Sequence, residues 1–496
     1  MPLRAYRSDS TTSGFGGRFF EAVSLTGVGA ILTLAASSLG SVIIARNGGP
    51  EGYGIFVAAN LLVYVTSVCC SLGLPLAIAK HAGCAEEQGD QELMKRRQTT
   101  VLLLILAVTL CAATAIAWYL PFLERVLHVS FGAVFRLTLP VVIVCAVVSD
   151  YAQGIYTGLL RLRPGLLILL SGPVAMIAYG LVRRTAPALP IVGAVSMLYA
   201  VSGVVAVVCL WRSHQFALPV KVSTLKPIAM DLLPAATFTL FSVFSVTIDR
   251  WIVSFELGPA AIGSYAAAML IIQAALRVPR NIAYLIVPAS SRVALGGPEK
   301  IVRFSEKTVY LFAWFATVAT VALMVAPKII LRTLFGEGFV SVASVLMIMA
   351  PVVAASAVSV PFVSLLTGSR HNRLVTYLLG GTLPLRLLLL LVFTRWWSLT
   401  GAATATLIAE IVLAALCLRL ARGLSIHFPL RSLQRPFVAA IIAYACAGFT
   451  LVVSRREVVA VVVAVIVLAV SSWKPLRDIF GSRGRKTGEP TREIAA

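Results

Sequence analysis

The sequence predicts an all-α polytopic membrane protein of about fourteen transmembrane helices, and three observations carry that prediction. The 496 residues are 59% hydrophobic and only 12% charged, where soluble domains hold roughly 45–50% apolar and about 25% charged residues. Apolar runs of membrane-spanning length, about 17–25 residues, recur fourteen times between short polar loops. The basic residues, which give a net charge of +22, collect in alternate loops, as they do in chains that weave through a membrane.

A polar, basic stretch, MPLRAYRSDSTTSGFGGRFFE, precedes the first run, 20–45. From Ala22 to Ala45 it stays apolar for 24 residues, beyond the roughly 7–15 of a signal-peptide core, so it is expected to remain as a helix. Runs at 55–80, 99–120, 137–160, 165–182 and 189–211 follow. A cytoplasmic linker at 212–228 leads to runs at 229–256, 262–290, 308–331, 340–367, 374–394 and 399–420. A loop from 421 then leads to a hairpin of helices at 437–454 and 457–473. The last, VVAVVVAVIVLAV, is β-branched, but in lipid only a helix satisfies its backbone. The basic tail from 474 is poor in large apolar residues and is expected to lie disordered at the membrane surface.

With the N-terminus in the cytoplasm, 28 Lys and Arg lie on that side and 10 on the other, while Arg250, Arg277, Arg280 and Arg386 fall inside helices. Both termini are therefore expected to be cytoplasmic. Basic loops facing the anionic leaflet account for the charge, so membrane lipids, and no nucleic acid, are the expected partners. Every loop is under twenty residues, which excludes an extramembrane catalytic domain and argues against an enzyme. The eight cysteines contain no CxxC and the five histidines are scattered singly, so no metal site is expected. GxxxxGK[ST] is absent, so ATP is not the direct driver. No cofactor is expected, and a proton, Na⁺ or the membrane potential stays open as the coupling force.

The chain also repeats itself. GPEGYGIF at 49–56 aligns with GPAAIGSY at 258–265, a shift of 209, and TGLLRLR at 157–163 with TGSRHNR at 367–373, a shift of 210. Two anchors with nearly equal shift predict two six-helix halves, residues 20–211 and 229–420, around a central cavity, with the last two helices as an appended hairpin. Six helices per half is even, so the pseudo-axis runs along the membrane normal.

Three segments carry a resemblance to a known family. IIARNGGPEGYGIFVAANLL (43–62), TIDRWIVSFELGPAAIGSYAAA (247–268) and RVPRNIAYLIVPASSRV (277–293) resemble the corresponding segments of bacterial oligosaccharide flippases of polysaccharide biosynthesis. These belong to the multidrug/oligosaccharidyl-lipid/polysaccharide exporter superfamily. Asn47–Gly48–Gly49 departs from the pattern, which more often has Leu before the Gly. The resemblance implies a flippase in the bacterial inner membrane that moves polyprenyl-pyrophosphate-linked glycan outward by alternating access, for exopolysaccharide, capsule or O-antigen. It also implies a polysaccharide polymerase and chain-length machinery as partners. A lipid II flippase and a multidrug/cation antiporter of the same superfamily are the alternatives.

The charges inside the apolar runs carry the site prediction. Gln273, Arg277, Arg280, Asn281 and Tyr284 recur every three to four residues on helix 8, making one polar stripe. Such a stripe needs protein or a water-filled cavity beside it. It is expected to bind pyrophosphate, which guanidinium groups grip bidentately; snorkelling or pairing with a buried acid is the other reading. Arg46 joins the substrate set because it stands in the resembling motif. On helix 7, Asp249 shares a face with Ser242, Ser245 and Glu256 and is expected to face the cavity as a coupling group. Arg250, about 100° away, is expected to be a structural or gating partner; a plain ion pair between helices is the alternative. Asp150, on a stripe with Gln153 and Thr157, joins the coupling or gating set, as do Arg386 and Glu410, which lie mid-helix and are expected to pair with each other rather than to touch substrate.

Overall fold

The computed structural model describes residues 12–75, 77–78, 91–159, 161–213, 226–294, 298–368 and 372–423, with short helical pieces between 436 and 468. The described residues are helical almost throughout, and no strand occurs among them. The basic tail and residues 79–90, 214–225 and 424–435 lie outside them.

Each of the first twelve predicted runs has helix at its place. A helix from Thr12 to Ser71 is broken at Gly49 into α1 (12–48) and α2 (50–71). There follow α3 (Gln91–Leu127), α4 (Ala133–Gly158), α5 (Leu162–Thr185), α6 (Gly193–Arg212), α7 (Lys226–Leu257) and α8 (Pro259–Ala294). After these come α9 (Pro298–Val325), α10 (Pro327–Phe335), a 3₁₀ turn at Glu337–Val342, and α11 (Ala343–Gly368). A last helix, Asn372–Gly423, is broken at Trp397 and Ser398 into α12 (372–396) and α13 (399–423). Among the described residues eight helices are long and apolar enough to cross a membrane, or nine if a bent pair is one span. The two longest, Ile31–Ser71 and Leu374–Leu420, contain the breaks just named. The protein is a multi-pass membrane protein.

One run differs from expectation. Residues 308–331 do not form a single straight helix: α9 ends at Val325, and α10 leaves it at 83°. Pro327 is the cause, because it cannot donate to a continuing ladder but suits the first position of a new helix.

The same logic sets the two Gly-Pro motifs. Gly49 has φ 62° and Gly258 φ 80°, a left-handed backbone that other residues adopt at a cost, and Pro50 and Pro259 then open α2 and α8. Those two helix starts touch each other. A Cβ on Gly54 would stand 1.8 Å from the Pro259 carbonyl oxygen, and one on Gly263 would stand 1.9 Å from that of Pro50. The contact is reciprocal: the last glycine of each repeated motif lies against the proline of the other. Only hydrogen atoms fit between these backbones.

Packing groups the chain into two compact units. The first comprises Met1–Arg277, Leu331–Val345 and Asn372–Ala409, and the second Val278–Ile330, Leu346–His371 and Glu410–Ala496. In the first, Tyr151, Tyr156, Ile168, Val101, Ile105 and Leu210 join α3, α4, α5 and α6 in one core. In the second, Tyr310, Trp314, Val321 and Val325 of α9 receive Ala439, Ala443, Ala447 and Ala464. Alanines let helices approach closely where lipid offers no hydrophobic drive. Outward, large apolar side chains stay open, such as Leu137 at 80% exposure. Trp118, Tyr119 and Phe122 near one end of α3, Trp211 at the end of α6 and Trp396 at the end of α12 are open too, in the interfacial positions aromatic rings prefer.

Candidate functional site

The site starts on α2. Tyr53, Asn60 and Tyr64 are spaced by seven and four residues, so they share one face. Tyr53 is buried, packed on Phe56, Phe335 and Phe339. One turn and more further along, Asn60 accepts a hydrogen bond from the Tyr199 hydroxyl of α6, Oη to Oδ1 at 3.0 Å. Tyr64 is 38% exposed. Charges from three other helices act on its hydroxyl: Asp150 of α4, Arg250 of α7 and Arg277 of α8. Asp150 acts on Tyr199 as well, and Arg250 on Tyr53.

Five helices therefore bring a carboxylate, two guanidinium groups, an amide and two phenols together. Asp150 and Arg250 are partly buried and Arg277 is exposed. Ionised side chains turned to lipid cost on the order of 2.5–3.5 kcal/mol each even by the milder scales. Partly open charges grouped in this way belong to a polar interior. The Arg250 Nε atom is buried and has no hydrogen-bond partner, so its donor is uncommitted. On α4, Gln153 donates to Ser149 at 3.3 Å. Gln273 lies one turn before Arg277 on α8. Arg280 and Asn281 continue the same helix, and their side chains lie outside the described residues.

Asp249 and Arg250 part company. Asp249 is fully buried. Its Oδ1 accepts the Arg250 backbone N–H at 2.9 Å, and its Oδ2 accepts the Tyr265 hydroxyl at 3.1 Å. Tyr265 has a single proton to give, so the Thr406 hydroxyl, 3.1 Å away, is the donor in that second bond. Arg386 acts electrostatically on the same phenol. Arg250 acts on the tyrosines of α2, while Asp249, expected to face the cavity, lies in the packed contact of α7, α8 and α13. The reason is rotational, since neighbours on a helix must point about 100° apart and α8 and α13 pack on the acid's side.

Two further residues have their own neighbours. Glu410, expected beside Arg386, accepts the Ser359 hydroxyl at 3.1 Å. Arg46 reaches the end of α10: its Nε donates to the Leu334 carbonyl at 2.8 Å and its Nη2 to that of Thr333. A cation on the last unpaired carbonyls of a helix is a C-terminal cap. With the Tyr53–Phe335–Phe339 cluster, it fixes α10 over the start of α2. Arg46→Ala is expected to lower stability by about 1–2 kcal/mol, read as an earlier thermal unfolding midpoint in detergent, with Arg46→Lys in between.

Solved structures share this arrangement of helices. The lipid II flippase MurJ, in an inward closed conformation, superposes with a TM-score of 0.73 at 12% identity, covering 93% of this chain and 100% of that one. An inward-facing multidrug resistance MATE family transporter of the MOP superfamily gives 0.67 at 14% identity, covering 79% and 97%. The Vibrio cholerae MATE transporter VcmN gives 0.56 at 15%, covering 84% and 99%. The chain has the fold of these transporters. No family model and no curated sequence matches it.

Sequence reasoning missed the α2 stripe and Tyr199. The signal on α2 was present, since Tyr53, Asn60 and Tyr64 recur at spacings of seven and four, but single polar residues in an apolar run draw less notice than charges. Tyr199 carried no signal of its own.

Proposed function

We propose that this protein is a flippase that carries polyprenyl-pyrophosphate-linked oligosaccharide across the bacterial inner membrane, with both termini in the cytoplasm. The observation that supports the reading most is the pair Arg250 and Arg277 acting on one phenol inside the bundle. Guanidinium groups in a low-dielectric interior bind a pyrophosphate strongly and repel the cations that a drug antiporter would carry. The fold shared with MurJ and MATE transporters fits a carrier with alternating access. In that reading the contact of Gly54 and Gly263 lies on the side that the lysine and arginine count assigns to the exterior.

The test is the lipid-linked glycan pool of cells lacking the protein. Glycan-pyrophosphate lipid is expected to accumulate on the cytoplasmic face and to be cleared by the restored wild type. Arg277→Ala, present at normal level, is expected to slow clearance at least tenfold, on the order of the 1.5–3 kcal/mol of one charged hydrogen-bonding group. No accumulation would overturn the reading. A second reading, transport of lipid II itself, is favoured by the 0.73 TM-score to the lipid II flippase MurJ. Accumulation of cell-wall precursor in place of glycan lipid would select it.

A further inference from the structure

The pyrophosphate reading uses the arginines and leaves the rest of the cluster without a task. We propose that Asn60, Tyr64, Asp150 and Tyr199 form a sugar-binding subsite for the glycan residue attached to the pyrophosphate; the proposal rests on the flippase reading above. Sugar hydroxyls both donate and accept, so their sites mix carboxylate, amide and phenol groups. The cluster has that mixture. The Asn60 amide oxygen is engaged by the Tyr199 hydroxyl at 3.0 Å, which leaves the amide N–H groups as donors to a ligand. The Asp150 carboxylate accepts, and the Tyr64 hydroxyl does either. The Tyr64 ring is open enough, at 38% exposure, to cover the apolar face of a sugar ring.

Position supports the assignment. Asp150, Arg250 and Arg277 all act on the Tyr64 hydroxyl, so the hydroxyl-binding groups lie near the anion-binding ones. A single small ligand would bridge both. A metal-cation site is the competing chemistry for a carboxylate with phenols, and the structure disfavours it on two counts. Cations such as Na⁺ or Ca²⁺ need several converging oxygens, and the Asn60 oxygen already gives one of its two lone pairs to the Tyr199 proton. The two arginines would also repel a cation. Among the described residues, no group of three His, Cys, Asp or Glu is placed to hold a metal.

The experiment compares two ligands on the purified full chain in lipid nanodiscs. One is the polyprenyl-pyrophosphate-linked glycan extracted from the expressing cells. The other is the same carrier stripped enzymatically to bare polyprenyl pyrophosphate. Wild type is expected to bind the glycan lipid about tenfold more tightly, the worth of one or two added hydrogen bonds. Asp150→Asn and Tyr199→Phe are expected to bring that ratio close to one, by loss of the preference for the glycan lipid over the bare lipid. Arg277→Ala is expected to weaken both ligands together. Equal wild-type affinity for the two lipids, or an unchanged ratio in both variants, would overturn the subsite and leave the flippase reading standing. Failure of wild type to bind either lipid would overturn both. Thermal stabilisation by Na⁺ that Asp150→Asn abolishes would assign the cluster to a cation and likewise overturn the subsite.

Discussion

Replacing Asp249 with alanine is expected to destabilise the protein by about 1–3 kcal/mol, the cost of leaving the buried Tyr265 hydroxyl without its charged acceptor. The carboxylate is fully buried and accepts the hydrogen bond of the Tyr265 hydroxyl. Its removal frees that phenol, loosens the Tyr265–Thr406 bond and leaves Arg386 with no acid on the shared tyrosine. Asp249→Asn keeps the shape and an acceptor, so its loss should be smaller. The decisive measurement is a double-mutant cycle of Asp249→Ala with Arg386→Met, read by thermal unfolding in detergent. If Arg386 is the counter-charge, the double variant recovers part of the loss, with a coupling on the order of 1–3 kcal/mol. Additive effects would mean that the acid serves only its hydrogen bonds.

The second large effect lies at the Gly-Pro seam. Gly54→Ala and Gly263→Ala are each expected to cost about 1–3 kcal/mol, the range for overpacking, because each new methyl meets backbone that has no rotamer to yield. The reciprocity makes a sharper claim than either substitution alone. Once one methyl has parted α2 from α8, the second enters a gap already open, so the double variant should lose less than the two single losses together. On the flippase reading, transport should fall in parallel, since a seam that does not close would leave the cycle incomplete. Cysteine labelling at Ser264, beside the seam, reads the opening directly. Labelling as slow in the variants as in the wild-type background would refute the seam as a closed gate.

The limits of reading such a chain from sequence show in particular residues. Gly49, Pro50 and Gly54 could be matched to Gly258, Pro259 and Gly263 because turn chemistry is local: a left-handed glycine followed by a first-position proline has one meaning wherever it occurs. The kink before Pro327 was equally local and was passed over, because the hydropathy of the run continues across it. Arg46 was assigned to substrate from its place in a motif, yet its neighbours are the carbonyls of Thr333 and Leu334, nearly 290 positions away in sequence. No spacing reports a partner at that distance.

The sequence by itself determined the membrane class, the order of the twelve helices that the structure describes most fully, and the glycines that let two of them meet. These follow from length, apolarity and turn residues, each readable within a short window. Tertiary structure alone decided what each charged residue faces. The helical period fixes the angle between Asp249 and Arg250, but the rotation of α7 as a whole is set by what packs on it. In a chain that is apolar on its lipid side and on its protein side alike, no hydrophobic face records that rotation. It took α8 and α13 to turn the acid inward, and the same turn carried the arginine to the tyrosines of α2.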